Sequence, residues 1–173
     1  VLAGKQYKIR VGGYVGWSGE GTLHLDFDPV GSSCATAIDL GGVLDETLLG
    51  TTLDADFGAD ESPCAVGDTA AKWYKFVPDG CVLDVPTITI TTCLAGTDFD
   101  TTISVWKADP SGCIGPFVMC NDDFVSPTCQ IDGFNRKSRV QFDAPGIDAY
   151  YIRVSGYNGA RGNFQLHILN ECN

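Results

Sequence analysis

An internal repeat constrains this sequence more than any other feature. The stretch that begins Tyr7-Lys-Ile-Arg-Val recurs 143 residues later as Tyr150-Tyr-Ile-Arg-Val. The match continues without a gap, so that residues 7–25 align with residues 150–168 and 10 of the 19 positions are identical. Each copy has alternating apolar residues on both sides of a glycine-rich centre, a pattern typical of two strands joined by a turn. The repeat therefore predicts two equivalent hairpins.

Two arrangements explain the repeat. In the first, two similar hairpins lie inside one domain. In the second, which we favour, the chain comes from a tandem array with a period of about 143 residues. Residues 1–28 are then the C-terminal hairpin of a preceding repeat or a strand-donating segment, residues 29–33 a linker, residues 34–170 a complete unit, and residues 171–173 the start of the next linker. Because the chain begins with Val rather than Met, we expect a processed product or part of a longer chain.

A lone hairpin is only marginally stable in water. We therefore expect residues 1–28 to be completed by other strands, either from a preceding unit of the same chain or from a neighbouring subunit. The sequence leaves these two sources open.

Strict alternation of apolar and polar residues predicts an all-β protein. No segment has sustained helical periodicity, whereas six segments alternate and are rich in β-branched and aromatic residues: 73–77, 87–92, 101–106, 139–142, 150–154 and 163–168. Such a pattern is typical of antiparallel sheets with one solvent-exposed face, and it predicts an antiparallel β-sandwich of the jelly-roll type. The predicted core consists of Trp73, Phe76, Ile88, Ile90, Ile103, Val105, Val140, Phe142, Ile152, Val154, Leu166 and Ile168.

The cysteines indicate an oxidising compartment. There are eight, and none forms a C-x-x-C pair: Cys34, Cys64, Cys81, Cys93, Cys113, Cys120, Cys129 and Cys172. With only two histidines in the chain, a zinc cluster is disfavoured, and we expect disulfides in an extracellular or cell-surface protein. Spacing leaves the pairing open. We consider a Cys113–Cys120 bond across a hairpin, a Cys34–Cys64 bond to a long loop, and a partner for Cys172 outside this chain.

The charge excludes two classes of partner. The chain has 22 acidic and 11 basic side chains, a formal net charge of −11, which repels nucleic acids and anionic membranes. No apolar run approaches the roughly 20 residues of a membrane span, so we expect no membrane insertion. One acidic stretch lacks the ligand spacing of an EF-hand and is interpreted as a solvated loop: Asp54, Asp56, Asp60 and Glu61.

Two further acidic clusters stand at strand ends. Asp98 and Asp100 precede the strand at 101–106, and Asn121, Asp122 and Asp123 follow another predicted strand. If these strands are neighbours in one sheet, the side chains converge on one rim, where hard oxygen ligands suit Ca²⁺. The alternative is that these Asp and Asn side chains hydrogen-bond to their own backbone in turns. Calcium is the one cofactor that the sequence suggests.

The sequence carries no catalytic signature, and we expect no enzyme. His24 and His167 occupy equivalent repeat positions on strands, where a histidine is most often structural. Neither a G-x-S-x-G nor an H-E-x-x-H motif is present.

Aromatic residues near the turns suggest a second kind of site. Tyr14, Trp17 and Tyr157 are candidates for stacking on the apolar faces of sugar rings, as is Trp106 on a strand. Tyr14 and Tyr157 occupy the same repeat position, and packing at a sandwich corner is the alternative for both. The sequence contains no Asn-x-Ser/Thr glycosylation motif.

Several motifs, in their order along the chain, resemble a known family: Cys34-Ala-Thr-Ala-Ile-Asp-Leu, Cys64, Trp73-Tyr-Lys-Phe, Thr91-Thr-Cys, Phe99-Asp-Thr-Thr-Ile-Ser-Val, Cys120-Asn-Asp-Asp and Tyr151-Ile-Arg-Val-Ser-Gly-Tyr. Residues 34–170 resemble the pre-peptidase C-terminal type domain, especially its cysteine-bearing variants in large secreted proteins. The resemblance implies a noncatalytic jelly-roll sandwich. Some relatives bind calcium or polymers such as collagen, and the resemblance implies calcium ligands at Asp100 and Asn121–Asp123. The chain departs from simpler members at Cys81, Cys113 and Cys129 and in its acidic insertion.

Two functions follow from these observations. The repeat favours a structural unit of an extracellular fibre, stalk or surface appendage, whose partners are copies of itself. The alternative is a secreted, calcium-dependent module that binds a carbohydrate or protein beside an enzyme. An adhesin array would combine the two.

Overall fold

We describe the protein from a computed structural model, in the ranges 8–23, 29–43, 45–55, 62–78, 85–110, 113–146 and 148–172. Strands dominate these ranges: β1 Ile38–Val43, β2 Asp45–Thr51, β3 Ala71–Pro78, β4 Thr87–Thr91, β5 Thr101–Ala108, β6 Ile114–Asn121, β7 Gln130–Ile131, β8 Phe134–Asn135, β9 Arg139–Asp143, β10 Tyr150–Gly156 and β11 Asn163–Glu171. In these same ranges no helix is long and apolar enough to cross a membrane.

The strands form two layers. One sheet has the order β1-β3-β10-β5-β6 and the other the order β2-β11-β4-β9, while β7 and β8 form a separate two-stranded ribbon. If the eight strands other than β1, β7 and β8 are numbered along the chain, the sheets read 1-8-3-6 and 2-7-4-5, which is the jelly-roll order. The predicted all-β sandwich is therefore confirmed. One pairing departs from the antiparallel prediction, because β1 runs parallel to β3 at the sheet edge.

The core lies between the two sheets. Alternation places Ile88 and Ile90 of β4 opposite Ile103 and Val105 of β5, and all four side chains are fully buried. Tyr74, Phe99 and Phe164 add an aromatic cluster at one end. Of the predicted core, Phe142 is only half-buried at the edge strand β9.

Trp73 corrects one core prediction. Trp73 and Phe76 have opposite parity on β3, so they point to opposite faces of the sheet. Phe76 joins the main core, whereas Trp73 packs on the outer face with Ala71, Trp106 and Tyr151. A second small apolar cluster therefore covers the outside of the five-stranded sheet, and β10 is buried on both faces.

The disulfides differ from both pairings considered above. Cys34 bonds Cys113 and Cys64 bonds Cys120, so the two ends of β6 are each tied to an earlier loop. The residues between Cys113 and Cys120 form one extended strand rather than a hairpin, and at about 3.3 Å per residue these two cysteines lie far beyond bonding distance. The predicted Cys113–Cys120 and Cys34–Cys64 bonds are therefore wrong.

The remaining cysteines that the structure describes are also disulfide-bonded. Cys93, after β4, bonds Cys129, which precedes β7. Cys172 is disulfide-bonded within this chain, so the expectation of an outside partner is wrong. Cys81 lies outside the described residues.

The predicted linker, residues 29–33, contacts the sandwich. The carbonyl oxygen of Gly31 accepts a hydrogen bond from the Trp73 N–H (2.7 Å), and the Gly31 N–H donates to the Thr36 carbonyl (2.6 Å). Gly31 has a φ of +80°, and an added Cβ would press on Lys72 and Ile38. The chain before β1 is therefore held against the end of β3.

Candidate functional site

The acidic rim lies at one end of the β5–β6 pair. These strands are antiparallel neighbours with Ile103 opposite Asn121, as the calcium prediction requires. We use "acidic rim" for the five predicted ligands at this end: Asp98, Asp100, Asn121, Asp122 and Asp123.

Two members of the acidic rim hold the backbone in place. The carboxylate of Asp98 accepts hydrogen bonds from the Asn163 N–H (2.8 Å) and side-chain amide (3.1 Å), which fixes the start of β11. The side chain of Asn121 accepts from the Arg139 N–H (3.0 Å) and donates to the Asp123 carbonyl (3.2 Å). For Asp98 and Asn121 the structure therefore places the side chains in turn and strand contacts, the alternative considered above.

Asp100, Asp122 and Asp123 form the more electrostatically strained part of the acidic rim. Burial, reinforced by the negative charges of Asp123 and Asp122, raises the pKa of Asp100 to about 6. Burial also raises the pKa of Asp122, although its carboxylate accepts a hydrogen bond from the Thr102 hydroxyl (3.1 Å). One buried carboxylate oxygen of Asp100 has no hydrogen-bond donor among the described residues. Mutually repelling carboxylates with an unpartnered oxygen are a donor set that suits a hard cation.

The geometry does not by itself assemble a metal site. Among the described residues, no three His, Cys, Asp or Glu side chains are arranged so that they could hold a metal ion. A calcium ion at the acidic rim stays a prediction. In the third acidic stretch, Asp54 forms an ion pair with Lys72 (3.3 Å), whereas Asp56, Asp60 and Glu61 lie outside the described residues.

A buried ion pair, which the sequence analysis missed, connects β10 to the loop before β3. The Arg153 guanidinium donates to the Asp68 carboxylate (2.7 Å), and both side chains are almost completely buried. The Ser155 hydroxyl and the Ser62 N–H donate to the same carboxylate (2.9 Å each). Burial raises the pKa of Asp68, but the hydrogen bonds from Ser62 and the charge of Arg153 outweigh it and hold the pKa below its usual value. The sequence signal for this ion pair was Arg153, which stands between Ile152 and Val154 in the predicted strand.

The aromatic candidates divide between two places. Tyr14 and Trp17 are 87% and 79% exposed in the N-terminal turn, and Tyr157 is 44% exposed on the sandwich. Trp106 is buried and stacks on Trp73, with ring centroids 5.4 Å apart, so it is not available for sugar stacking.

His167 is a strand histidine with polar neighbours. Its Nδ1 lies 3.0 Å from the Thr47 hydroxyl, and its Nε2 lies 3.6 Å from the Asp45 carboxylate on the adjacent strand β2. His24 lies outside the described residues.

The two copies of the repeat have the same backbone conformation in their turns. In the 3-10 turn Tyr14–Gly16 the central Val15 has φ 50° and ψ 42°, and in Tyr157–Gly159 the central Asn158 has φ 49° and ψ 40°. In both turns the first tyrosine carbonyl accepts a hydrogen bond from the residue three positions later, Trp17 or Ala160.

The surroundings of the two turns differ. We use "repeat segment" for the residues Lys8–Leu23, all of which are exposed and which form no strand in the described part. The prediction of a hairpin is wrong for the second copy, because β10 and β11 lie in different sheets and do not pair with each other. In the first copy the turn is present, while the flanking residues that the structure describes form no strand. By contrast, Tyr157 and Asn158 donate backbone hydrogen bonds to the carbonyls of Asp100 (3.1 Å) and Val66 (2.9 Å).

Comparison with solved structures finds a similarity with a low score and low identity. The chain is similar to the pre-peptidase C-terminal domain of collagenase from Bacillus anthracis, with a TM-score of 0.39 and 15% sequence identity over 78% of this chain and 94% of that one. The likeness concerns the fold alone. No protein-family model matches the sequence, and no curated protein matches it.

Proposed function

We propose that this chain is a noncatalytic structural repeat of an extracellular fibre, stalk or surface appendage. In this proposal, disulfide-linked jelly-roll units follow one another with a period of about 143 residues. The single observation that carries it is the second copy of the β10–β11 sequence at residues 7–25, which keeps the same turn backbone. A self-contained binding module has no need of such a copy.

The disulfides support the extracellular setting. Cys34–Cys113 and Cys64–Cys120 hold both ends of the edge strand β6, and Cys93–Cys129 holds the β7–β8 ribbon. Such bonds form and persist in oxidising compartments, and they keep a sandwich folded when it is exposed outside the cell.

Electron microscopy of the native material tests the fibre. A compact unit of this size predicts filaments with an axial repeat of about 40 Å, one sandwich per repeat. Monodisperse single domains that bind a glycan tightly would contradict the proposal.

A calcium-dependent binding module is the second candidate. The observation that favours it is the unpartnered carboxylate oxygen of Asp100 beside Asp122 and Asp123. In this proposal an ion draws the carboxylates of Asp100, Asp122 and Asp123, which are not arranged around a metal site in the structure, into its coordination shell and so orders the loops at the acidic rim. Tyr14, Trp17 and Tyr157 are the weaker candidates for glycan contact.

Chelation tests the calcium proposal. Removing divalent ions with EDTA should lower the melting temperature, and the double variant Asp100→Ala with Asp122→Ala should abolish that change. Asp98→Ala is the matched control, because Asp98 binds the β11 backbone and should leave the calcium response intact. A melting temperature that chelation does not change would refute a bound ion.

A further inference from the structure

The repeat segment is an exposed, apolar copy of an element that is central to the fold. In the sandwich, β10 lies between β3 and β5, and β11 lies between β2 and β4. β10 and β11, joined by the turn at Tyr157–Gly159, therefore supply an inner strand to each of the two sheets. The repeat segment has the same sequence pattern but forms no strand where the structure describes it.

The apolar side chains of the repeat segment match buried positions. Ile9 and Val11 correspond to Ile152 and Val154, at the offset of 143 residues. Ile152 and Val154 are completely buried between the sheets, whereas Val11 is 75% exposed and Ile9 is 57% exposed. Residues that are apolar at the same alternate positions have a reason to be so only if a sheet covers them.

The buried arginine is repeated as well. Arg10 corresponds to Arg153, whose guanidinium forms the buried ion pair with Asp68. An arginine between two apolar β-branched residues is unfavourable in a buried strand unless a carboxylate meets it. The repeat segment therefore also carries the group that a copy of Asp68 would bind.

A glycine gives an independent argument. Gly19 corresponds to Gly162, where an added Cβ would come within 2.1 Å of the Asp98 carboxylate and 2.7 Å of the Phe99 ring. In the sandwich this position must be glycine because the strand packs closely against Phe99. At Gly19 an added Cβ would meet nothing within 4 Å. The repeat segment thus keeps a glycine whose steric reason exists only inside a sandwich.

From these matches we propose that residues 7–28, of which the repeat segment is the described part, complete the sandwich of a second copy of this domain that lacks its own β10 and β11, by taking the places of these two strands. This inference rests on the proposed fibre and identifies the contact that links one sandwich to the next, which we call the joint. The main-chain groups of the segment pair with strands equivalent to β3, β5, β2 and β4, as in strand addition. Ile9 and Val11 fill the core, and Arg10 pairs with the copy of Asp68. The hydrogen bonds of residues 29–33 then fix this joint to the next sandwich.

At one position the repeat segment lacks the buried side chain of its counterpart, and this difference provides a test. Gly21 corresponds to Phe164, a buried ring in edge contact with Tyr74 and Phe99, each with ring centroids 6.4 Å away. In a slot built from this chain's own strands, Gly21 leaves that ring position unfilled. Gly21→Phe should therefore tighten the complex, by roughly tenfold if most of the ring is buried.

The test uses a single variant chain that contains both the repeat segment and a sandwich without β10 and β11, to which the repeat segment can bind. The variant ends after residue 147, so that it lacks β10 and β11 but keeps the repeat segment, and Cys81→Ser keeps the number of cysteines even. We expect a cooperatively unfolding β-sheet protein, as head-to-tail oligomers of two or more copies or as a self-completed monomer. Circular dichroism and light scattering distinguish these states, and Gly21→Phe should stabilise both.

Two matched variants make the result decisive. In the same truncated chain, Ile9→Asp with Val11→Asp should abolish folding. A permuted control, with residues 150–171 in place of 7–28, tests whether the truncated sandwich accepts β10 and β11 from its N-terminal side. If the permuted control folds and the variant with the repeat segment does not, the proposed joint is overturned. In that case, native filaments with an axial repeat of about 40 Å would still support the proposed fibre, and its units would be linked in another way.

Discussion

The repeat segment and the segment that contains β10, its turn and β11 are similar in sequence and in turn conformation but differ in environment. Their turns agree within 2° in φ and ψ at the central residue, Val15 and Asn158. Around Asn158, however, backbone donors reach Val66 and Asp100, and the strands on both sides lie inside the sheets. Around Val15 the neighbouring residues are exposed. The local sequence is therefore enough to form the turn, whereas the strands require partners from the rest of a sandwich.

Removing the two equivalent arginines should give the largest difference between these regions. Arg153→Met leaves the Asp68 carboxylate buried without its ion pair, and we expect a loss of about 3–5 kcal/mol in the free energy of unfolding. Arg10→Met should change the stability of the isolated chain by less than about 0.5 kcal/mol. Urea denaturation of both variants measures this. Equal losses would show that the two regions are not in different environments.

Truncating the equivalent isoleucines should give the next largest difference. Ile152→Ala creates a cavity between the sheets and should cost about 2–5 kcal/mol. Ile9→Ala, its matched control on the exposed repeat segment, should be nearly neutral in the isolated chain. If Ile9→Ala destabilises the isolated chain as strongly, the segment already packs on a core.

Exchanging the central turn residues should have a smaller effect. Asn158→Val places a β-branched side chain at a φ of 49°, and we expect a loss of about 1–2 kcal/mol. Val15→Asn, the reverse change, should leave the thermal unfolding of the isolated chain unchanged. A stabilisation by Val15→Asn as large as the loss at Asn158 would mean that the N-terminal turn is coupled to the sandwich.

The pH dependence of the acidic rim, beneath the turn at Tyr157, should be the smallest effect. The folded pKa of Asp100 is raised from the ordinary 3.8 to about 6, so in this window the native state keeps a proton that the unfolded chain has lost. Stability therefore falls as the pH rises from about 4 to 6. Asp100→Asn should remove the contribution of Asp100 to this slope, leaving that of Asp122, and should gain about 1 kcal/mol at pH 7 without added calcium. An unchanged pH profile would contradict the raised pKa.

Strand positions with strong alternation could be predicted from the sequence, while edge strands and pairings could not. The segments at 87–92, 101–106 and 163–168 coincide with β4, β5 and β11 because each presents one apolar face to the same core. β1 and β2 lack this signal. β1 contains Gly41 and Gly42 and pairs in parallel at an edge, and β2 carries Gly50 because Phe164 leaves no room for a side chain.

The disulfides and the buried ion pair depend on contacts between distant residues. Cys34 and Cys113 are separated by 79 residues and meet only because the sheet brings β6 to the loop before β1. Asp68 meets Arg153 across a separation of 85 residues. For the acidic rim, the sequence placed both acidic clusters at strand ends, but only the structure shows that these strands are neighbours and that Asp98 and Asn121 are occupied by backbone contacts.

Hydrogen exchange at the repeat segment tests the account most directly. In the isolated chain, the amides of residues 8–23 should exchange at unprotected rates, while those of β10 and β11 are protected. In native assembled material, the account predicts that Ile9 and Val11 become protected to the same degree as Ile152 and Val154. Rapid exchange at Ile9 and Val11 in the assembled material would contradict it.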